Sequence, residues 1–164
     1  MSYQSDRSWS DNFIPAIKQI VGPLLLEASS FEIDTTQAAD LVVLNARDKT
    51  IAARVRRFGY ADRYPYDFTI RSSRDSGAKT ELEKIVDGFG DWMFYGHSDE
   101  SETGISRWMV TNLASLRAAL IRDKAPWKKK SNSDGTHFVA FDIRDLPESC
   151  VIAANFNIDM RKVA

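Results

Sequence analysis

Residues 35–57 read TTQAADLVVLNARDKTIAARVRR, and the fold turns on how this stretch pairs. Leu41 to Leu44 and Ile51 to Val55 are rich in Val, Ile and Leu, with the polar run Asn45-Ala46-Arg47-Asp48-Lys49 between them, a spacing that predicts an antiparallel hairpin. With that run as the loop, Leu44 faces Thr50 and Asp40 stands opposite Arg54. One face then carries Leu41, Val43, Ile51, Ala53 and Val55, and the other carries Asp40, Val42, Ala52, Arg54 and Arg56. A carboxylate and two guanidiniums on strands otherwise suited to burial are costly unless they pair or meet a ligand. Two readings stand: a structural ion pair between Asp40 and Arg54 at the sheet margin, or a charged site.

Outward from this stretch, SDNFIPAIKQIVGPLLLEAS from Ser10 places Phe13, Ile14, Ile17, Ile20, Val21, Leu24 and Leu25 at helical spacing. Ser10 or Asp11 can cap the start, and Gly22-Pro23 should break the helix. Phe31 to Asp34 reads as a short strand, and so does Tyr66 to Arg71. Thr80 and Glu83 have capping-box spacing ahead of Leu82, Ile85 and Val86, predicting a helix over about 79–87. Asp91 to His97, DWMFYGH, reads as a buried strand, and Ile105 to Val110 as another. Asn112 should cap a second helix carrying Leu113, Leu116 and Leu120. Trp127-Lys128-Lys129-Lys130 reads as a loop and His137 to Ile143 as a strand, while CVIAANF fits a strand or a short helix. The expected class is α/β (α+β), with a central mixed sheet flanked by helices.

The 164 residues suffice for one domain with its own core and no disulfide, so a single domain over 1–164 is expected. No run approaches the roughly 18 apolar residues of a membrane helix. The N-terminus shows no apolar signal core. A cytoplasmic protein without a membrane partner is the expectation. Cys150 is the only cysteine, which fits a buried thiol better than a nucleophile. A net charge of −1 argues against indiscriminate nucleic-acid binding, yet the charge is segregated. Arg54, Arg56, Arg57, Arg63, Arg71 and Arg74 fall within 21 residues, Lys128 to Lys130 come later, and acids gather at Asp99, Glu100 and Glu102. Tyr60, Tyr64 and Tyr66 beside Arg63 and Arg71 have the chemistry to stack bases and grip phosphates, although such residues also serve ordinary packing. His97 and His137 lack the spacing of a zinc site.

The order helix, three strands, helix, strand over Asn12 to His97, with one extra strand at Tyr66 to Arg71, resembles the core of the PD-(D/E)XK nuclease superfamily, the restriction-endonuclease-like fold. Residues 98–164 would extend it. The resemblance implies an Asp opening the second strand and a (D/E)-x-K triplet on the third, together holding Mg²⁺ and a water. Asp40-Leu-Val-Val-Leu matches the first, and Ala53-Arg54-Val55-Arg56 stands where the triplet belongs. Arginines at the acidic and lysine positions depart from the pattern, because a guanidinium repels a hard cation and cannot act as a base. On this reading Asp40 and a displaced acid, Glu27 or Asp34, or else Glu81 or Glu83, would hold Mg²⁺, with Arg56 steadying the transition state and Arg54 or Arg57 orienting the phosphate. The stretches FTIRSSRDSGAKTELEKI, DWMFYGH and SNSDGTHF also resemble small phage and prophage proteins. The resemblances imply a nucleic-acid-directed protein, either a divergent metal-dependent nuclease or a nuclease-derived DNA- or RNA-binding protein. Arg57, Arg63, Arg71, Lys128, Lys129 and Lys130 would contact the nucleic acid. The alternative is a protein-interaction module, either an inhibitor of a host enzyme or a small homodimer.

Overall fold

The computed structural model describes residues 3–28, 41–43, 49–74, 80–132 and 135–161. They fall into two units, residues 1–49 and 50–164. The smaller unit holds α1 (Tyr3–Asp11) and α2 (Ile14–Val21), which buries Ile17 and Val21, with Pro15 in its first turn where a missing N–H costs nothing. Gly22-Pro23 ends the helix as expected, in a 3₁₀ turn over Gly22–Leu25. The chain then enters β1 (Leu26–Ala28), which pairs antiparallel with β2 (Leu41–Val43), Leu26 facing Val43. The strand expected at Phe31 to Asp34 lies outside the described residues, as does Asp40.

The larger unit contains, in order, β3 (Ile51–Arg56), α3 (Tyr60–Arg63), β4 (Asp67–Arg74), α4 (Glu81–Val86), β5 (Trp92–Ser98), β6 (Ile105–Asn112), α5 (Leu113–Ile121), β7 (Trp127–Ser131), β8 (Thr136–Asp142) and β9 (Val151–Ala154). Its strands form two sheets, β3-β5-β6-β9 and β4-β8-β7. Among the described residues of this unit β3 and β5 run parallel, with Arg54 beside Tyr95 and Arg56 beside His97, and the other strand pairs are antiparallel. The chain is thus an α+β protein with mixed strand pairing. Among the described residues no helix is long and apolar enough to cross a membrane.

The hairpin expected between residues 41–44 and 51–55 does not form: β2 pairs with β1, and β3 with β5. Local spacing favours a hairpin, but β5 offers an apolar, almost fully buried strand, and parallel pairing with it requires a long crossover that spacing alone does not reveal. The start of this pairing is stapled by side chain. The Asp91 carboxylate accepts from Thr50 N at 2.9 Å and from the Thr50 hydroxyl at 3.1 Å, while Thr50 O accepts from the Asp91 and Trp92 amides. The expected alternation along β3 holds, and the arginine face is the inward one. Ile51 and Ala53 are exposed, and Ala52, Arg54 and Arg56 share the face of Met93 and Tyr95, which belong to the core.

Aromatic packing joins the two sheets of this unit. The Phe68 ring meets Tyr95 edge-on at 5.2 Å and lies 5.9 Å from Phe141, so strands from both sheets contribute to one core. Each such fully buried side chain contributes roughly 2–3 kcal/mol. Two helix signals hold, whereas the cap expected at Ser10 or Asp11 does not: both lie inside α1, and α2 begins after Phe13 with no side-chain cap. Thr80 and Glu83 close a capping box, and the Asn112 side chain accepts from Ala114 N and Ser115 N. The Lys128 to Lys130 run, expected in a loop, is part of the edge strand β7, paired antiparallel with β8 from Trp127 to Ser131. The CVIAANF segment combines both expectations, a 3₁₀ turn over Glu148–Cys150 followed by β9.

The turn into β5 depends on Gly90, whose φ is +80° and whose pro-Cβ position lies 2.9 Å from Leu113 Cδ1. Gly90→Ala is therefore expected to destabilise the protein by roughly 1–3 kcal/mol through backbone strain and the close contact. Thermal unfolding followed by circular dichroism should show a Tm lowered by several degrees.

Candidate functional site

On β4, Thr69 and Arg71 alternate with the core residues Phe68 and Ile70 and so point to the opposite face of their sheet. Across the sheet Thr69 pairs with Ala140 and Arg71 with Phe138, and β7 adds Lys128 opposite Ala140 and Lys130 opposite Phe138. Thr69, Arg71, Phe138, Lys128 and Lys130 therefore share one face. Arg54 and Arg56 reach it from β3.

The two arginines do different work. Arg54, its side chain 16% exposed, donates to Glu81 Oε2 at 2.6 Å and to Thr69 O at 3.3 Å. The same Glu81 oxygen accepts from Arg71 N at 3.2 Å. Burial pulls the Arg54 pKa down, Glu81 opposes this, and Arg56 and Arg71 add like-charge repulsion. Arg56 donates through Nε to Tyr95 Oη at 3.0 Å and through Nη2 to the Thr69 hydroxyl, which itself lies 3.1 Å from Tyr95 Oη. Its guanidinium lies over the Tyr60 ring, 4.7 Å from the centroid. Among the described residues these partners of Arg56 are all neutral.

Aromatic residues and a second cation continue the site. Tyr60 and Tyr64 sit four residues apart at the two ends of α3, with ring centroids 5.1 Å apart. Burial pushes the Tyr60 phenol pKa up, so the ring stays neutral. Lys130 Nζ lies 4.6 Å from the Tyr64 centroid and 2.5 Å from Asp67 Oδ2. Burial draws the Lys130 pKa down, but the hydrogen bond and charge of Asp67 outweigh it, and the net shift is upward. His97 packs against Tyr60 at 6.3 Å and Tyr95 at 5.5 Å. It is only 6% exposed, and neither ring nitrogen makes a well-aligned hydrogen bond. Burial, with Arg107 and Arg56 nearby, pushes its pKa down to about 4.

The remaining sequence candidates are dispersed. Arg57 forms an exposed ion pair with Glu102 at 3.2 Å. Arg63 is exposed beside Tyr64, while Lys129 faces Val139 and so points away from Lys128 and Lys130. Tyr66 leaves the tyrosine group, with Arg144 stacked 3.9 Å from its ring centre and Arg107 at 5.8 Å. Cys150 is buried, and burial raises its thiol pKa to about 11, which keeps it protonated and unreactive. Glu83 is used in the capping box. Asp40 and Asp34 lie outside the described residues, and so does the side chain of Glu27.

The described donors do not fit Mg²⁺. A hard cation needs clustered carboxylates, whereas the Glu81 oxygen faces a guanidinium and an amide N–H. Among the described residues no group of three His, Cys, Asp or Glu converges. Sequence reasoning overlooked Thr69, Tyr95 and Phe138. The alternation of Phe68-Thr69-Ile70-Arg71 held the signal for Thr69, but the partners come from another sheet. Compared with family models, with curated proteins and with solved structures, the chain gives no match.

Two outcomes follow from this geometry. Glu81→Ala leaves a largely buried guanidinium without its carboxylate and the Arg71 N–H without its acceptor. It should destabilise the protein by about 2–4 kcal/mol in urea unfolding, and more than Glu83→Ala does. His97 binds its proton more weakly folded than unfolded, so its neutral form stabilises the fold at pH 7 and that stability is lost as pH falls from about 6.5 towards 4. A Tm–pH profile should fall over this window and be flatter for His97→Gln.

Proposed function

We propose that the chain binds nucleic acid through its phosphate backbone, using the face formed by Arg56, Arg71, Lys128 and Lys130, with Arg63 beside it. The observation that carries this reading is Arg56. A half-buried guanidinium held by two hydroxyls and an aromatic face is oriented by neutral groups, which prepares it for an incoming anion without an ion pair to break first. Arg71, Lys128 and Lys130 add charge on the same face, and only Glu81 and Asp67 offset it in the contacts described.

Within this reading the lineage is a divergent restriction-endonuclease-like core of phage type, retained for binding rather than for hydrolysis. What favours binding is the pairing of Arg54 with Glu81 at the position where the resemblance calls for an acid. Binding through arginine and lysine needs no metal, so affinity for DNA or RNA should be the same in EDTA as in Mg²⁺ once ionic strength is matched.

A second reading has an observation of its own. Val86, Phe89 and Ile121 are exposed, and Val86 and Ile121 help line a surface hollow of about 250 Å³ with Arg117 and Leu120. Such a patch suits a protein partner, a host enzyme or a second copy of the chain.

Salt separates the two. A backbone interface using about four cations should lose on the order of a hundredfold in affinity between about 50 and 200 mM salt, whereas an apolar interface changes little. Replacing the exposed pair Arg63 and Lys128 with alanine should reduce the slope of log K against log salt by close to two. An unchanged slope in electrophoretic or anisotropy titrations would remove this face from the interface.

A further inference from the structure

Resting on the backbone-binding reading above, the geometry points to a narrower ligand class: a single strand whose unpaired base stacks on Tyr64 while Lys130 and Arg63 hold the flanking phosphates. Tyr60, which opens α3, and Tyr64, which caps its end, differ in what surrounds them. Tyr60 lies between Arg56 and His97 and is half-buried, so it anchors the cluster. Tyr64 is 42% exposed, with its ring 5.1 Å from Tyr60 and the Lys130 ammonium 4.6 Å from its centre.

Tyr64 is exposed, tilted against Tyr60, with the Lys130 ammonium over its ring, so an aromatic surface and a cation stand together, the two contacts that a nucleotide's base and phosphate need. Lys130 does not depend on the ring for its position, because Asp67 holds it. Arg63, the residue before Tyr64, is exposed on the same short helix.

A duplex cannot use this arrangement fully. Its bases are already covered on both faces by their neighbours, so it would engage the cations alone, whereas a single strand offers both the phosphates and an open π-face. Stacking of this kind is indifferent to base identity, so no sequence preference is expected.

The test uses the full chain at low salt, with fluorescein-labelled oligothymidylate, oligouridylate and a duplex of equal length followed by anisotropy. The single strands should bind about tenfold more tightly than the duplex. Tyr64→Ala should remove most of that advantage and leave duplex affinity unchanged, and Tyr64→Phe should keep it. Binding of only one single-stranded polymer also supports the assignment. Equal or tighter duplex binding, or a Tyr64→Ala variant with wild-type preference and an unchanged melting curve, overturns the single-strand assignment and leaves backbone binding standing. No salt-dependent binding to any of the three overturns both.

Discussion

The larger unit depends on how the open edge of one sheet is closed by side chains from elsewhere. β4 is the outer strand of its three-stranded sheet, and β3 is the outer strand of the four-stranded one. An unpaired edge leaves backbone amides and carbonyls without partners. Here Thr69 O accepts from the Arg54 guanidinium, Arg71 N donates to Glu81, and Ser72 O accepts from the Thr80 hydroxyl. A salt bridge between Arg54 and Glu81 joins the groups that do the capping. Side chains from β3 and the start of α4 thus complete the hydrogen bonding that a further strand would otherwise supply.

This closure explains why two arginines two residues apart differ so much. Both leave β3 on the same side, but Arg54 meets the edge of β4 and a carboxylate, while Arg56, one turn of the pleat further along, meets two hydroxyls and a tyrosine ring. The first is a structural ion pair of the kind whose disruption is costly because one charge is left behind. The second is a cation whose charge is not cancelled locally.

The surroundings of Arg56 keep that charge from being balanced by proton movement. His97 sits alongside it and stays neutral at pH 7, and Tyr60 holds its phenolic proton. The positive potential of the face consequently comes from permanent or strongly held charges, Arg56, Arg71 and Lys130. Its strength should vary little across the physiological pH range and should respond chiefly to ionic strength.

Much of the local structure was legible in the sequence. The capping box at Thr80 and Glu83, the Asn112 cap, the break at Gly22-Pro23 and the buried aromatic strand at DWMFYGH depend on signals within a few residues, which the chain states directly. The period-two pattern of β3 was equally plain, and it correctly put Arg54 and Arg56 on one face. The choice of β5 as the partner of β3, and the inward sense of the arginine face, were decided only in tertiary structure, because a parallel pairing joins segments some forty residues apart and no short-range pattern encodes it. The same holds for the site. Arg56, Thr69, Tyr95 and Lys130 come from four strands in two sheets, and their convergence is a consequence of how those sheets pack around Phe68 and Phe141.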